Sequence, residues 1–102
     1  VSRRGLEPED YAHNTALHLA ALQGNAGTIA ALLEAGAPLE ARAAWGGTPL
    51  CEASLQGHVS AVQVLLDGGA AVDVVTEVGA TPLVIAERRG HRAVADLLRG
   101  RP

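Results

Sequence analysis

Cys51 is followed directly by Glu52, and the chain carries four histidines, His13, His18, His58 and His91. A cysteine beside a carboxylate raises the question of a nucleophile with an acid. Thiolate chemistry, however, needs an oriented base, and no histidine falls where the chain pattern would set it against Cys51. The expected state of Cys51 is a packed, inert thiol, and Glu52 is expected on a helix surface or hydrogen-bonded. Four histidines also raise the question of a metal. His58 and His91 lie 33 residues apart in matching contexts, which in a stacked helical array means about 10 Å of separation. Ligands sharing one ion sit about 2 Å from it, so the pair reads as hydrogen-bonding turn residues instead. His18 reads the same way, and His13 as a solvated hairpin residue. Neither G-x-x-x-x-G-K-[ST] nor G-x-G-x-x-G occurs, so the glycines are assigned to turns and no phosphate loop is expected. The sequence thus points to no catalysis, no cofactor, no metal and no small-molecule substrate.

The elements that place these residues follow from a period of 33. It links Thr15, Thr48 and Thr81; Leu17, Leu50 and Leu83; Ala20, Ala53 and Ala86; Gly24, Gly57 and Gly90; and Leu32, Leu65 and Leu98. Five matching columns in three units define an internal repeat. Each unit reads as two helices joined by a turn. Thr48-Pro49 and Thr81-Pro82 are helix starts, the threonine oxygen accepting an orphan N–H and the proline fitting the first helical position. Gly24, Gly57 and Gly90 close these short helices. Ile29, Leu32 and Leu33, and then Val62, Leu65 and Leu66, give the second helices an i, i+3, i+4 apolar stripe. Gly36-Ala37 and Gly69-Ala70 end them. Pro38 to Gly47 and Ala71 to Ala80 read as extended, projecting hairpins, with Val72, Val74 and Val78 contributing β-branched side chains.

Thr48-Pro49-Leu50, Gln56-Gly57-His58, Val64-Leu65-Leu66 and Gly69-Ala70, with Thr15-Ala16-Leu17-His18-Leu19-Ala20-Ala21 and Thr81-Pro82-Leu83, resemble the ankyrin repeat over residues 10–102. The resemblance implies an all-α solenoid: a stack of helix-turn-helix units with projecting β-hairpin loops. The expected division is an N-terminal extension and first hairpin arm over 1–14, repeats over 15–47 and 48–80, and a truncated last repeat over 81–102. The motif histidine stands only at His18, being Cys51 and Val84 in the later units, and the Leu19 column carries Glu52. In the last unit the column of Ala21 and Ser54 becomes Glu87, that of Ala26 and Val59 becomes Arg92, and that of Leu33 and Leu66 becomes Arg99. Three changes to charge are expected of a face with no following repeat. Unit one shows no such change, so Val1–Asn14, a partner or a further repeat is expected to cover it.

The resemblance also implies a surface. Ankyrin-like arrays meet partners through hairpin tips and the groove lined by the first helices. Carried over by position, the tips are Tyr11, Ala12 and Asn14; Ala44, Trp45 and Gly47; and Glu77, Val78 and Ala80. The groove is Leu22 and Gln23, Leu55 and Gln56, and Arg88 and Arg89. The function expected is a protein-binding adaptor or scaffold, with a constitutive subunit of a larger assembly as the alternative; the former is soluble alone, the latter melts or aggregates without its neighbours.

Composition agrees. In 102 residues, 48% hydrophobic, there is no Phe or Met and one Trp, so apolar mass comes from Ala, Leu and Val, suited to thin layers. The net charge of −3 hides an acidic body, with Arg42 the only basic residue against six acids between 15 and 86, and a basic end with five arginines after residue 86. An acidic body lacks the clustered positive charge that nucleic-acid binding needs. No apolar run approaches the roughly 18 residues of a membrane span. The first residues show neither an initiator Met nor a secretory stretch, and a longer product is expected. One cysteine and no Asn-x-Ser/Thr acceptor favour an intracellular setting, cytoplasmic, nuclear or within an organelle. Trp45 is the sharpest surface signal, because its column otherwise holds Ala12 and Val78. Trp45→Ala is expected to leave the circular dichroism spectrum and melt nearly unchanged while lowering partner affinity by roughly 2 kcal/mol; lost stability with retained binding would make it a packing residue.

Overall fold

A proline after a threonine starts a helix cleanly, and the chain does so twice. The computed structural model describes the backbone of residues 9–43 and 46–100, with side chains from residue 16 onward. Among the described residues there are six helices: α1 (Glu9–Gln23), α2 (Ala26–Glu34), α3 (Pro49–Gln56), α4 (Val59–Asp67), α5 (Pro82–Arg89) and α6 (Arg92–Arg99). Thr48 caps α3 by accepting the Cys51 N–H at 3.4 Å, and Thr81 caps α5 by accepting the Val84 N–H at 3.3 Å. Pro49 and Pro82 take the first helical positions, as their fixed φ allows.

The first unit departs from this. Thr15 is followed by Ala16, not proline, so nothing breaks the helix there, and α1 begins at Glu9. Tyr11, Ala12, His13 and Asn14, expected on a hairpin, therefore lie on a helix. That is a correction to the carried-over tip, and it removes residues 9–14 from any first hairpin arm.

Each of the three inter-helix turns uses one device. Asn25, His58 and His91 donate their backbone N–H to Ala20, Ala53 and Ala86 across 3.0, 3.1 and 2.9 Å. This six-to-one bond, with the preceding glycine left-handed at φ near 75–78°, satisfies carbonyls that the helix end would orphan. The same closure ends α2 and α4, where Ala37 and Ala70 donate to Leu32 and Leu65.

The loops are closed by backbone bonds. Ala43 donates to Gly47 and Thr76 to Ala80, each at 2.9 Å. No strand occurs among the described residues, so the chain reverses through a bonded tip and not a ladder. The first loop is held to the next by side chains. Arg42 Nη1 donates to the Gly46 and Val75 carbonyls at 2.9 and 2.8 Å, and Glu40 Oε2 accepts the Ala71 N–H at 2.7 Å.

Helices α1, α3 and α5 form one layer and α2, α4 and α6 the other, each helix packing on its own partner and on its equivalent in the next unit. Ala20, Ala53 and Ala86 are buried where first helices meet, so small side chains set close spacing. Leu17, Leu50, Ile29, Val62 and Leu65 fill the space between layers with no measurable exposure beyond 1%. Full burial of one such leucine is worth about 1.5–3 kcal/mol. Leu65 is flanked by units on both sides, and Leu65→Ala is expected to cost about 2–5 kcal/mol in a denaturant or thermal melt, a large share of what three units can hold.

Candidate functional site

The groove is built on the exposed faces of α1, α3 and α5, and the histidines are what hold those faces at fixed spacing. His58 Nε2–H donates to the Leu22 carbonyl at 2.9 Å, and His91 Nε2–H to the Leu55 carbonyl at 3.0 Å. A carbonyl only accepts, which places the ring proton on Nε2 in both. Both bonds run 36 residues back, from one unit to the first helix of the unit before. The rings also rest on the turn glycines. A Cβ on Gly24 would come 2.6 Å from His58 Cγ, and one on Gly57 2.5 Å from His91 Nδ1. His18 makes a different link, from Nε2 to the Gly47 carbonyl at 2.9 Å. All three are hydrogen-bonding residues, as the spacing implied; that they bridge units was not legible.

The exposed groove residues carry apolar surface. Leu19 and Leu22 are 48% and 37% exposed, Gln23, Gln56, Arg88 and Arg89 are exposed, and Leu55 is half-buried. A cavity of about 310 Å³ joins Leu55, Ile85, Arg88 and Arg89 to Thr76, Val78 and Ala80 of the second loop. Val78, at 78%, is the most exposed large apolar side chain among the described residues. Glu77 beside it is exposed. Gly47 and Ala80, carried over as tip residues, are buried, because their carbonyls close the loops. Ala44 and Trp45 lie outside the described residues, as do the side chains of Tyr11, Ala12 and Asn14.

This repeated architecture can be compared with known families. The family model for ankyrin repeats (3 copies) matches residues 17–101. The chain belongs to the ankyrin-repeat family. No curated protein matches it. Ankyrin repeats serve in general as protein–protein interaction modules. Among the described residues of this ankyrin chain no His/Cys/Asp/Glu group has the size to hold a metal, and no helix is long and apolar enough to cross a membrane. Cys51 is fully buried, its Sγ 3.5 Å from the Thr48 hydroxyl that donates to it.

The last ankyrin unit turns its charged columns outward. Arg99 donates to Glu87 Oε2 and Asp96 Oδ1, each at 2.9 Å, all three side chains about half exposed or more. Screening leaves such pairs little net stability. Glu87 and Arg99 rim a second cavity of about 320 Å³ with Gly90, His91 and Arg92, on the face that units one and two cover with a neighbour.

Glu52 is the correction within the site. It was expected at a surface or hydrogen-bonded; it is partly buried, and its Oε1 is enclosed without a partner. Its column is Leu19 and Ile85, which is why a carboxylate there meets an apolar setting. Burial pushes its carboxyl up from the ordinary 4.5, while His18 pulls it down by less. In the unfolded chain Glu52 ionises near that ordinary value; folded, it keeps its proton to higher pH. Between the two the folded state binds more protons, so stability falls as pH rises through that window. The melting temperature of Glu52→Gln is therefore expected to match wild type below pH 4.5 and to exceed it increasingly above. A difference that does not change with pH would remove desolvation as the cause.

Proposed function

We propose that the chain is an intracellular adaptor module that holds an extended segment of a partner protein along the α1–α3–α5 groove, with the second loop closing one side. The observation that carries this reading is the cavity shared by Leu55, Ile85, Val78, Arg88 and Arg89. Groove and loop are separate in sequence, yet they form one concave surface with an apolar floor and a cationic end. Concave apolar surface with a few polar groups is what recognition sites share, and an apolar centre with a charged rim suits a protein segment. Leu19 and Leu22 extend the apolar floor onto α1. Arg88 and Arg89 sit in the last turn of α5, where positive charge is favoured by the helix dipole, so their cap role and a binding role coexist.

Affinity capture with mass spectrometry on wild type and on Val78→Asp, run side by side, tests the surface. Val78 is exposed and buries little, so the variant is expected to melt within about 0.5 kcal/mol of wild type and to lose the partner. Arg88→Gln with Arg89→Gln is expected to weaken the captured partner and flatten the salt dependence of its binding. A partner retained by both variants would place the binding face elsewhere on the stack.

A further inference from the structure

The arginines among the described residues are not employed alike. Arg42 gives its guanidinium to the Gly46 and Val75 carbonyls, and Arg99 is shared between Glu87 and Asp96. Arg88 and Arg89 make no ion pair with a described residue, yet both line the cavity of Leu55, Val78 and Ile85. Among the described residues no carboxylate lines it with them. The acids closest in sequence are turned elsewhere. Glu87 bonds Arg99 at the rim of the other cavity, and Glu77 stands over Gly46, where a Cβ on that glycine would come 2.9 Å from its Cγ. The helix dipole favours positive charge in the last turn of α5. It does not ask for two guanidinium groups beside one apolar hollow, where like charges repel and no counter-charge is supplied.

We propose that Arg88 and Arg89 hold a Glu or Asp side chain of the partner segment, while an apolar side chain of the same segment fills the hollow of Leu55, Val78 and Ile85. The inference rests on the groove reading and adds the chemistry and register of its occupant. A guanidinium presents a fork of donors that matches the two oxygens of a carboxylate. Both arginines are exposed, so a ligand reaches their heads, and Val78 at 78% exposure offers apolar surface that the fold leaves uncovered. Charge decides which end of the groove takes the acid. Between residues 15 and 86 six acids stand against Arg42 alone, and Arg42 is tied to two carbonyls. An anionic side chain is therefore repelled along most of the stack and drawn to α5. In an extended segment every second side chain shares a face, and such a pair spans about 6–7 Å of chain, the scale of a cavity of about 310 Å³. The acid and the apolar anchor thus fall at positions i and i+2 of the segment.

The test uses the whole chain and a phage-displayed library of random linear dodecapeptides, fused at their C-termini so that none offers a free terminal carboxylate. Amidated synthetic peptides from the winners are titrated calorimetrically into wild type, Arg88→Gln with Arg89→Gln, Arg88→Glu with Arg89→Glu, and Val78→Ser. Thermal melts of the four proteins are expected to coincide closely, which separates lost anchoring from lost folding. The expected result is an Asp or Glu aligned two positions from an apolar residue, and an affinity loss of about tenfold or more on the glutamine pair. The glutamate pair is expected to lose more, and to regain binding to a peptide that carries Lys in place of the acid. Val78→Ser alters no charge and is expected to weaken every winner. Winners that need Val78 but carry no aligned acid, or that ignore both arginine variants, would overturn the carboxylate contact and leave the groove standing. Winners indifferent to all the variants, or no enrichment at all, would overturn both.

Discussion

The structure depends on one hydrogen bond made twice: an imidazole N–H of one unit given to a first-helix carbonyl of the unit before. Its energy is modest, about 0.5–1.5 kcal/mol net, but its geometry is demanding. The ring of His58 lies on Gly24 and that of His91 on Gly57, so ring and glycine occupy one volume between them. The glycine must be left-handed to close its helix and bare to admit the ring. Those two demands fix where the first helix ends and how neighbouring units are spaced. The groove is the outer face of that spacing.

Side chains of the loops complete what the turns begin. Arg42 reaches from the first loop to the Val75 carbonyl and Glu40 takes the Ala71 N–H, so the second loop is held in register without strand pairing. The tip that carries Val78 is braced by Thr76, whose hydroxyl accepts the Ala80 N–H at 3.2 Å. An exposed valine on a braced turn loses less entropy on meeting a partner than one on a slack loop.

The sequence made the repeat, its caps and its core columns readable, because proline, threonine and glycine act locally and leucine columns recur at a fixed offset. It misplaced Tyr11, Ala12 and Asn14 because the 33-residue offset was carried past Thr15, where no proline stands to stop the helix. It read the loops as extended hairpins because β-branched Val72, Val74 and Val78 suit a strand, whereas no strand occurs among the described residues. The Arg42 link left a trace, as the one basic residue in an acidic stretch. Glu52 left one too, as a charge in a leucine and isoleucine column. What no local pattern carries is direction: that His58 and His91 reach backward across units, or that an oxygen of Glu52 finds no donor.

The histidine bonds also give the stack a grammar that reads one way. At one end the matching position is Asn25, shorter than histidine and already spending its Oδ1 on the Thr28 N–H at 3.2 Å. At the other end the receiving column continues as Arg88 and Gly90, and a Cβ on Gly90 would meet nothing within 4 Å. Each junction between described units thus has a socket on the earlier unit and a plug on the later one, and reversing the order of two units would set Asn25 where a ring is needed.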